Sequence, residues 1–273
     1  MSTREFNTLK YPETIDALLN YIIVDEDIKN VYKTNVEKYN KGFELINKEN
    51  IEIENNNNHY LINADNDSKL KIKLNETLTN KILIVKFNMN LAKKGYACSS
   101  NITINGITNA LSCDTWKYNN NNTTFEYVFA DKTINEFDIT FNNSQYDISD
   151  IELYTIDYAN IKNVNKNITE LKLNKVNDNQ LEGNITLNYD TYLKLTIPYD
   201  KVFKLYVNDK ETNIFKVDKT FIGLKLNKGT HNIKIIYEAP LFKEGKIISL
   251  TTLISTSICF ITKKISKKNT DEN

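Results

Sequence analysis

The chain lacks an excess of charge of either sign. Lys and Arg number 35 and Asp and Glu number 35, so the formal net charge is zero. That balance removes the global basic field that would draw nucleic acid or an anionic membrane surface. Cysteine is scarce as well, with Cys98, Cys113 and Cys259 only. None is spaced as C-x-x-C and none has a histidine nearby, which speaks against a zinc site and leaves no cofactor to expect. Met1 to Asn20 carries Arg4, Lys10, Glu13 and Asp16 and no apolar core, so it is not a secretory leader. Glycine (7) and proline (3) are few, while Lys, Asn and Ile abound. That bias follows from A+T-rich codons and carries no chemistry.

What is present is a pattern of short strands. At 273 residues the chain exceeds one small sandwich and fits two modest domains. Tyr11 to about Leu45 reads as helical, with Pro12 near an N1 position and Ile15, Leu18, Leu19, Ile22 and Ile23 at helical spacing. Ile28, Val31 and Tyr32 extend it as a second short helix. From Glu44 the period changes to two, and Asn-rich breaks such as Asn55–Asn58 and Asn119–Asn122 separate the runs. Many short strands at regular spacing predict a mainly β chain of two antiparallel β-sandwich units. The expected layout is a helical lead-in over 1–45, a jelly-roll-like extracytoplasmic sandwich over 46–160 and a membrane-proximal sandwich over 168–240. A transmembrane helix over 246–263 and a cytoplasmic tail over 264–273 complete it.

Ile82–Asn88 is apolar on both faces for part of its length and should lie inside the first unit. Asn105-Gly106 predicts a two-residue type I′ turn, since both central positions need positive φ. In that register paired positions sum to 211, and Cys98 falls opposite Cys113. The pair could bond in an oxidising compartment or remain two buried thiols. In the second unit, Asn208-Asp209-Lys210 and Asn227-Lys228-Gly229 are expected to close hairpins.

Between Lys246 and Lys263 lie 16 residues without charge, just short of the roughly 17–25 that span a bilayer. Ile247, Leu250, Ile254, Ile258 and Ile261 make an apolar stripe, and hydroxyls opposite suit packing against other spans. Lys263, Lys264, Lys267 and Lys268 follow, which puts the C-terminus in the cytoplasm and both β units outside. With no earlier span or leader to export them, the simplest reading is the C-terminal part of a larger polytopic protein, or a truncated gene product.

Leu193–Lys210 (L-K-L-T-I-P-Y-D-K-V-F-K-L-Y-V-N-D-K), Phe221–Gly229 (F-I-G-L-K-L-N-K-G), His231–Pro240 and the following G-K-I-I-S-L resemble the C-terminal end of the bacterial YfhO family. Tyr146–Tyr158 (Y-D-I-S-D-I-E-L-Y-T-I-D-Y) resembles the segment just upstream in that family. Val202-Phe203 stands where the family usually has Gly-Trp, and Asn208-Asp209 where Asp-Gly is common. The resemblance implies a polytopic membrane protein similar to GT-C glycosyltransferases, acting on cell-envelope polymers such as lipoteichoic acid. It implies as partners the family's N-terminal transmembrane helices and, through the parent protein, envelope glycan or a polyprenyl-linked sugar. The acidic catalytic loop of the family has no counterpart here, so no catalytic residue carries over.

For a binding site, Trp116, Tyr118 and Tyr96 beside an Asn run suggest a glycan platform, because pyranose faces present C–H to aromatics and hydroxyls to amides. The bland reading is a sandwich-edge tryptophan beside a solvated turn. Asp147, Asp150 and Asp157 lack a calcium-loop spacing, and His59 and His231 read as satisfied surface histidines. Two functions remain: the accessory region of a membrane glycosyltransferase without a catalytic centre of its own, or a non-enzymatic membrane-anchored surface module binding glycan or protein.

Overall fold

A computed structural model describes residues 1–26, 28, 32–56, 59–91, 100–113, 115–163 and 168–271, except for the side chains of 163 and 263–271. The chain is mainly β and antiparallel, as its periodicity predicts. It divides into two units. One holds Met1–Tyr21 and Asp27–Ile168; the other holds Ile22–Glu26 and Thr169–Asn273.

In the first unit, α1 (Thr3–Phe6) and α2 (Glu13–Asn20) precede β1 (Glu37–Lys38), β2 (Phe43–Asn56), β3 (His59–Thr79) and β4 (Lys81–Leu91). Then come β5 (Asn101–Ile104), β6 (Ile107–Ala110), β7 (Thr124–Phe129), β8 (Thr133–Phe141), β9 (Ser144–Asp157) and α3 (Tyr158–Asn163). The helical lead-in is shorter than its spacing predicts: α2 ends at Asn20, and Tyr21 is already extended. Two forces end it. Ile23 and Val24 are buried in the second unit instead. Within the helix Asp16 and Ala17, not the apolar stripe, are buried. The Asp16 carboxylate accepts from the Tyr32 hydroxyl (3.0 Å), the Asn35 backbone (2.9 Å) and the Asn35 and Asn20 amides (2.9 and 3.0 Å). Ile15, Leu18 and Leu19 stay exposed. The expected second helix falls partly on residues 29–31, outside the described residues.

The order β6-β5-β8-β3-β9-β4-β7, with β2 on β3 and β1 on β9, is one sheet folded over on itself. Its fold line runs through the β2–β3 hairpin. Tyr60–Ala64 of β3 pair with β9, whereas Ser68–Lys73 pair with β8, so one strand serves both layers. Bulges on β2 between Leu45 and Asn47 and between Glu49 and Ile51 bend it in step. At the corner Asn50 and Asp67 take positive φ, and the fully buried Ser68 hydroxyl donates to the carbonyls of Asn50 and Asp65. The sequence reading breaks β3 into two strands because polar residues 65–69 interrupt its alternation.

Between the layers lies a core that includes Ile62, Leu70, Ile72, Leu83, Val85, Phe87, Phe125, Tyr127, Phe141 and Tyr146. β4 is buried on both faces as expected. Leu83 and Val85 point into this core, while Ile82 and Ile84 pack with Ile156 under Tyr11, Val36 and Ile161. The Asn105-Gly106 turn also stands as read, with φ of 45° and 79° and partners Asn101↔Ala110 to Ile104↔Ile107, each summing to 211.

The second unit contains β10 (Lys172–Asn177), β11 (Gln180–Leu187), β12 (Thr191–Pro198), β13 (Phe203–Val207) and β14 (Lys210–Thr212). It continues with β15 (Phe215–Val217), β16 (Phe221–Leu226), β17 (Gly229–Tyr237) and α4 (Phe242–Asp271). One sheet runs β10-β11-β17-β13-β14 and the other β12-β16-β15. Ile185, Leu205, Ile222, Leu224, Ile233 and Ile235 fill the space between them. Asn208-Asp209 closes the β13–β14 hairpin with both residues at positive φ. Asn227-Lys228-Gly229 does not close a hairpin. It carries the chain from β16 in one sheet to β17 in the other, and Asp190 Oδ1 accepts from the Lys228 N–H at 2.7 Å. The strand read over Asn213–Val217 is the shorter β15, and β14, just before it and not read from the sequence, pairs in the other sheet.

Candidate functional site

The loop between β6 and β7 gathers the aromatic residues singled out from the sequence. It leaves β6 along the hairpin register, with the Leu111 N–H donating to Ser100 O at 3.3 Å. Two residues on, Cys113 is buried and disulfide-bonded. Its Sγ lies 2.9 Å from Thr115 Oγ1, and its carbonyl accepts from the Trp116 N–H at 3.0 Å. The turn so formed lifts Trp116 and Tyr118 outward, with 57% and 84% of their surfaces exposed. Both figures are far above what a packing role needs. Lys117 Nζ sits 5.5 Å from the centre of the Tyr118 ring, a cation–π contact on one face of it.

The Asn run behind them is a chain of side-chain turns. Asn119 Oδ1 accepts from the Asn121 N–H at 2.8 Å, and Asn120 Oδ1 accepts from the Asn122 N–H at 3.0 Å. Asn122 holds Thr124 through both its amide atoms (3.1 and 3.2 Å), and the Ser112 hydroxyl donates to Asn120 Oδ1 across the loop. This is the usual Asx device, in which an amide oxygen takes the place of a backbone acceptor. The side-chain oxygens are therefore engaged within the loop. Among the described residues the Nδ2 groups of Asn119 and Asn120 have no partner and remain as donors. Tyr96 and Cys98 fall within 92–99, outside the described residues. The structure thus brings Trp116 and Tyr118 together on one loop and leaves the third aromatic unassigned. Lys117 and the Ser112–Asn120 brace escape the sequence reading, because neither a lone lysine nor a serine eight residues before its partner has a distinguishing pattern.

The remaining titratable groups are dispersed. Asp147 pairs with His59 Nδ1 at 3.0 Å, Asp150 accepts from Asn88 Nδ2 at 2.7 Å, and Asp157 lies 3.8 Å from Lys81. His231 Nε2 is 2.8 Å from Asn227 O and its Nδ1 is 3.4 Å from Asn208 Nδ2. Both histidines are satisfied at the surface. Among the described residues no three His, Cys, Asp or Glu side chains converge as metal ligands.

α4 begins at Phe242, upstream of the charge-free run. Phe242–Thr262 is a 21-residue stretch that contains an 18-residue segment of mean hydropathy 1.4, with none of it buried. At 1.5 Å per residue it reaches about 30 Å, the thickness of a bilayer's hydrocarbon layer. Glu238, in the link to β17, lies between Lys204 of β13 (3.2 Å) and Lys243 of the first helical turn (3.7 Å). The helical hydroxyls turn inward on their own backbone. Thr251, Thr252, Ser255, Thr256 and Ser257 each donate to a carbonyl four residues earlier, at 2.8 to 3.0 Å.

Two antiparallel β units followed by one candidate membrane span define a membrane-associated β protein. The family described as bacterial membrane protein YfhO matches residues 1–249, and the chain belongs to it. The uncharacterized protein YfhO of Bacillus subtilis (strain 168) is 40% identical over 119 residues, which are 42% of this chain and 14% of that protein. The chain thus matches only a small part of that relative's length. Among solved structures, a Paenibacillus sp. cycloisomaltooligosaccharide glucanotransferase covers 72% of this chain and 45% of its own, at 7% identity and TM-score 0.25. A cupin 2 conserved barrel domain protein from Leptotrichia buccalis covers 77% of this chain and 92% of its own, at 12% identity and TM-score 0.16. Likenesses this loose carry no argument about function.

Proposed function

We propose that this chain is the extracytoplasmic C-terminal region and last span of a polytopic membrane protein that takes part in glycosylating envelope polymers such as lipoteichoic acid. In that role it holds glycan at the loop of Trp116 and Tyr118 and has no catalytic centre of its own. The observation that carries the binding role is the exposure of two large aromatics on a loop anchored by the buried, disulfide-bonded Cys113 and braced by amide turns. Aromatic faces held rigidly beside free amide donors suit a pyranose, which offers C–H on its face and hydroxyls at its rim. Trp116→Ala should weaken binding of purified lipoteichoic acid roughly tenfold, taking a ring contact at about 1–1.5 kcal/mol. An affinity unchanged by that substitution would sink the binding role.

The proposed outside position of the β units draws on the bonded state of Cys113 and on the four lysines after α4. Cys259 is free, so Cys98 is the partner we assign to Cys113. Protein taken from membranes and alkylated in denaturant should show one reactive thiol before reduction and three after. Three thiols without reduction would remove this support. A cysteine placed at Ser266 should then react with a membrane-impermeant maleimide only after cells are opened. The partners we assign are the membrane helices of the parent protein and, through it, a polyprenyl-linked sugar.

A further inference from the structure

The two layers of the first unit do not close on each other everywhere. Ile139 is on β8, flanked by β3 through Leu70 and by β5 through Ile104, and it faces inward between the buried Phe137 and Phe141. A residue in that position should be sealed, yet Ile139 is half-buried, as is Ile151 on the facing layer. The space over them is an apolar cavity of about 130 Å³. Its rim includes Phe43, Leu45 and Ile53 of β2, the strand that among the described residues pairs only with β3 and so leaves an edge in both layers.

We propose that this gap is a lipid-binding site that takes a segment of a fatty acyl chain. The size fits, since a cavity of about 150 Å³ lined by Leu, Ile and Phe stays dry and admits benzene. The lining fits as well: it is aliphatic and aromatic throughout, apart from one tyrosine hydroxyl, and has no charged group. A sugar, nucleotide or peptide backbone would lose its hydrogen bonds there, whereas hydrocarbon loses none. Membership of a membrane-protein family and a 21-residue candidate span on the same chain put acyl chains within its surroundings.

The test uses the full chain in phosphatidylglycerol liposomes with a diazirine-bearing palmitate, irradiated and mapped by peptide mass spectrometry. α4 serves as the internal control, since it should be labelled in every sample. Label is expected also on β2 and β8 peptides around Leu45 and Ile139. There it should fall at least fivefold in Ile139→Phe and Ile151→Phe, which fill the gap, and under excess unlabelled palmitate. Melting curves of both variants establish that they fold. Label confined to α4, or gap label that survives competition, overturns the proposal. If neither variant folds, the competition on the unaltered chain decides by itself.

Discussion

Gly223 sits in the middle strand of the smaller sheet of the second unit, opposite Lys194 on one side and Phe215 on the other. A methyl group added to it would collide with Cγ1 of Val217, a fully buried and stiff side chain. Gly223→Ala should therefore cost about 1–3 kcal/mol as overpacking, read as a lower thermal midpoint of the purified chain. A midpoint that does not move would mean the two strands can part at no cost. Tyr127 and Tyr146 make the opposite point about polar groups in the core. Their hydroxyls donate to Ile102 O at 2.7 Å and to Asn142 O at 2.9 Å, so β7 and β9 hold the β5 hairpin and the β8–β9 turn through polar atoms as well as packing. Burial pushes the Tyr146 hydroxyl up to about 12. Tyr127→Phe keeps the ring and removes one bond, which should cost about 1–2 kcal/mol in urea unfolding with the slope unchanged.

At the scale of elements, charge is arranged as a ladder on the outer face of the first unit. Lys86 of β4 lies opposite Glu152 of β9, and Glu152 also meets Lys38 of the segment on β1. Burial raises the Glu152 carboxyl, but hydrogen bonds from Tyr154, Lys86 and Lys38 together outweigh it, and the net displacement is downward. A carboxylate lowered on folding adds stability above its unfolded value of 4.5, and that contribution disappears as pH falls through the lower folded value. Glu152→Gln should accordingly flatten the stability profile below about pH 4.5 while leaving its shape above pH 6 unaltered. An equally steep acid limb in the variant would assign that limb to other carboxylates. The hydroxyls of α4 also read differently at this scale. Their donors are engaged within the helix, which lowers their cost in lipid and makes neighbouring spans unnecessary for satisfying them.

At the scale of the whole chain, the strand periods, the β4 position and the Asn105-Gly106 turn were legible because each depends on local sequence alone. Turn residues with positive φ and side chains alternating every two residues leave few other solutions. The misreadings share a cause. Whether Asn227-Lys228-Gly229 turns within a sheet or steps between sheets depends on which strand lies alongside, and no residue in the turn reports that. The lead-in helix ends early because Ile23 and Val24 are buried in the second unit. There Asp218 accepts from the Ile23 N–H at 2.8 Å and pairs with Lys194 at 2.8 Å. A contact across 195 positions leaves no trace in helical spacing.

The candidate site divides along the same line. Aromatic and amide residues in one run marked the loop, and the charge-free run before four lysines, with the family resemblance, marked the membrane class. By itself, then, the sequence determined a mainly β chain, its hairpin register, its apolar terminal helix and its family, since all of these rest on residues near one another. Tertiary structure alone decided that β3 would serve two layers, that the Asn run would fold onto itself and that the layers would stay parted at Ile139. Those outcomes depend on how distant strands meet, where burial and hydrogen bonding of the whole unit outweigh local preference.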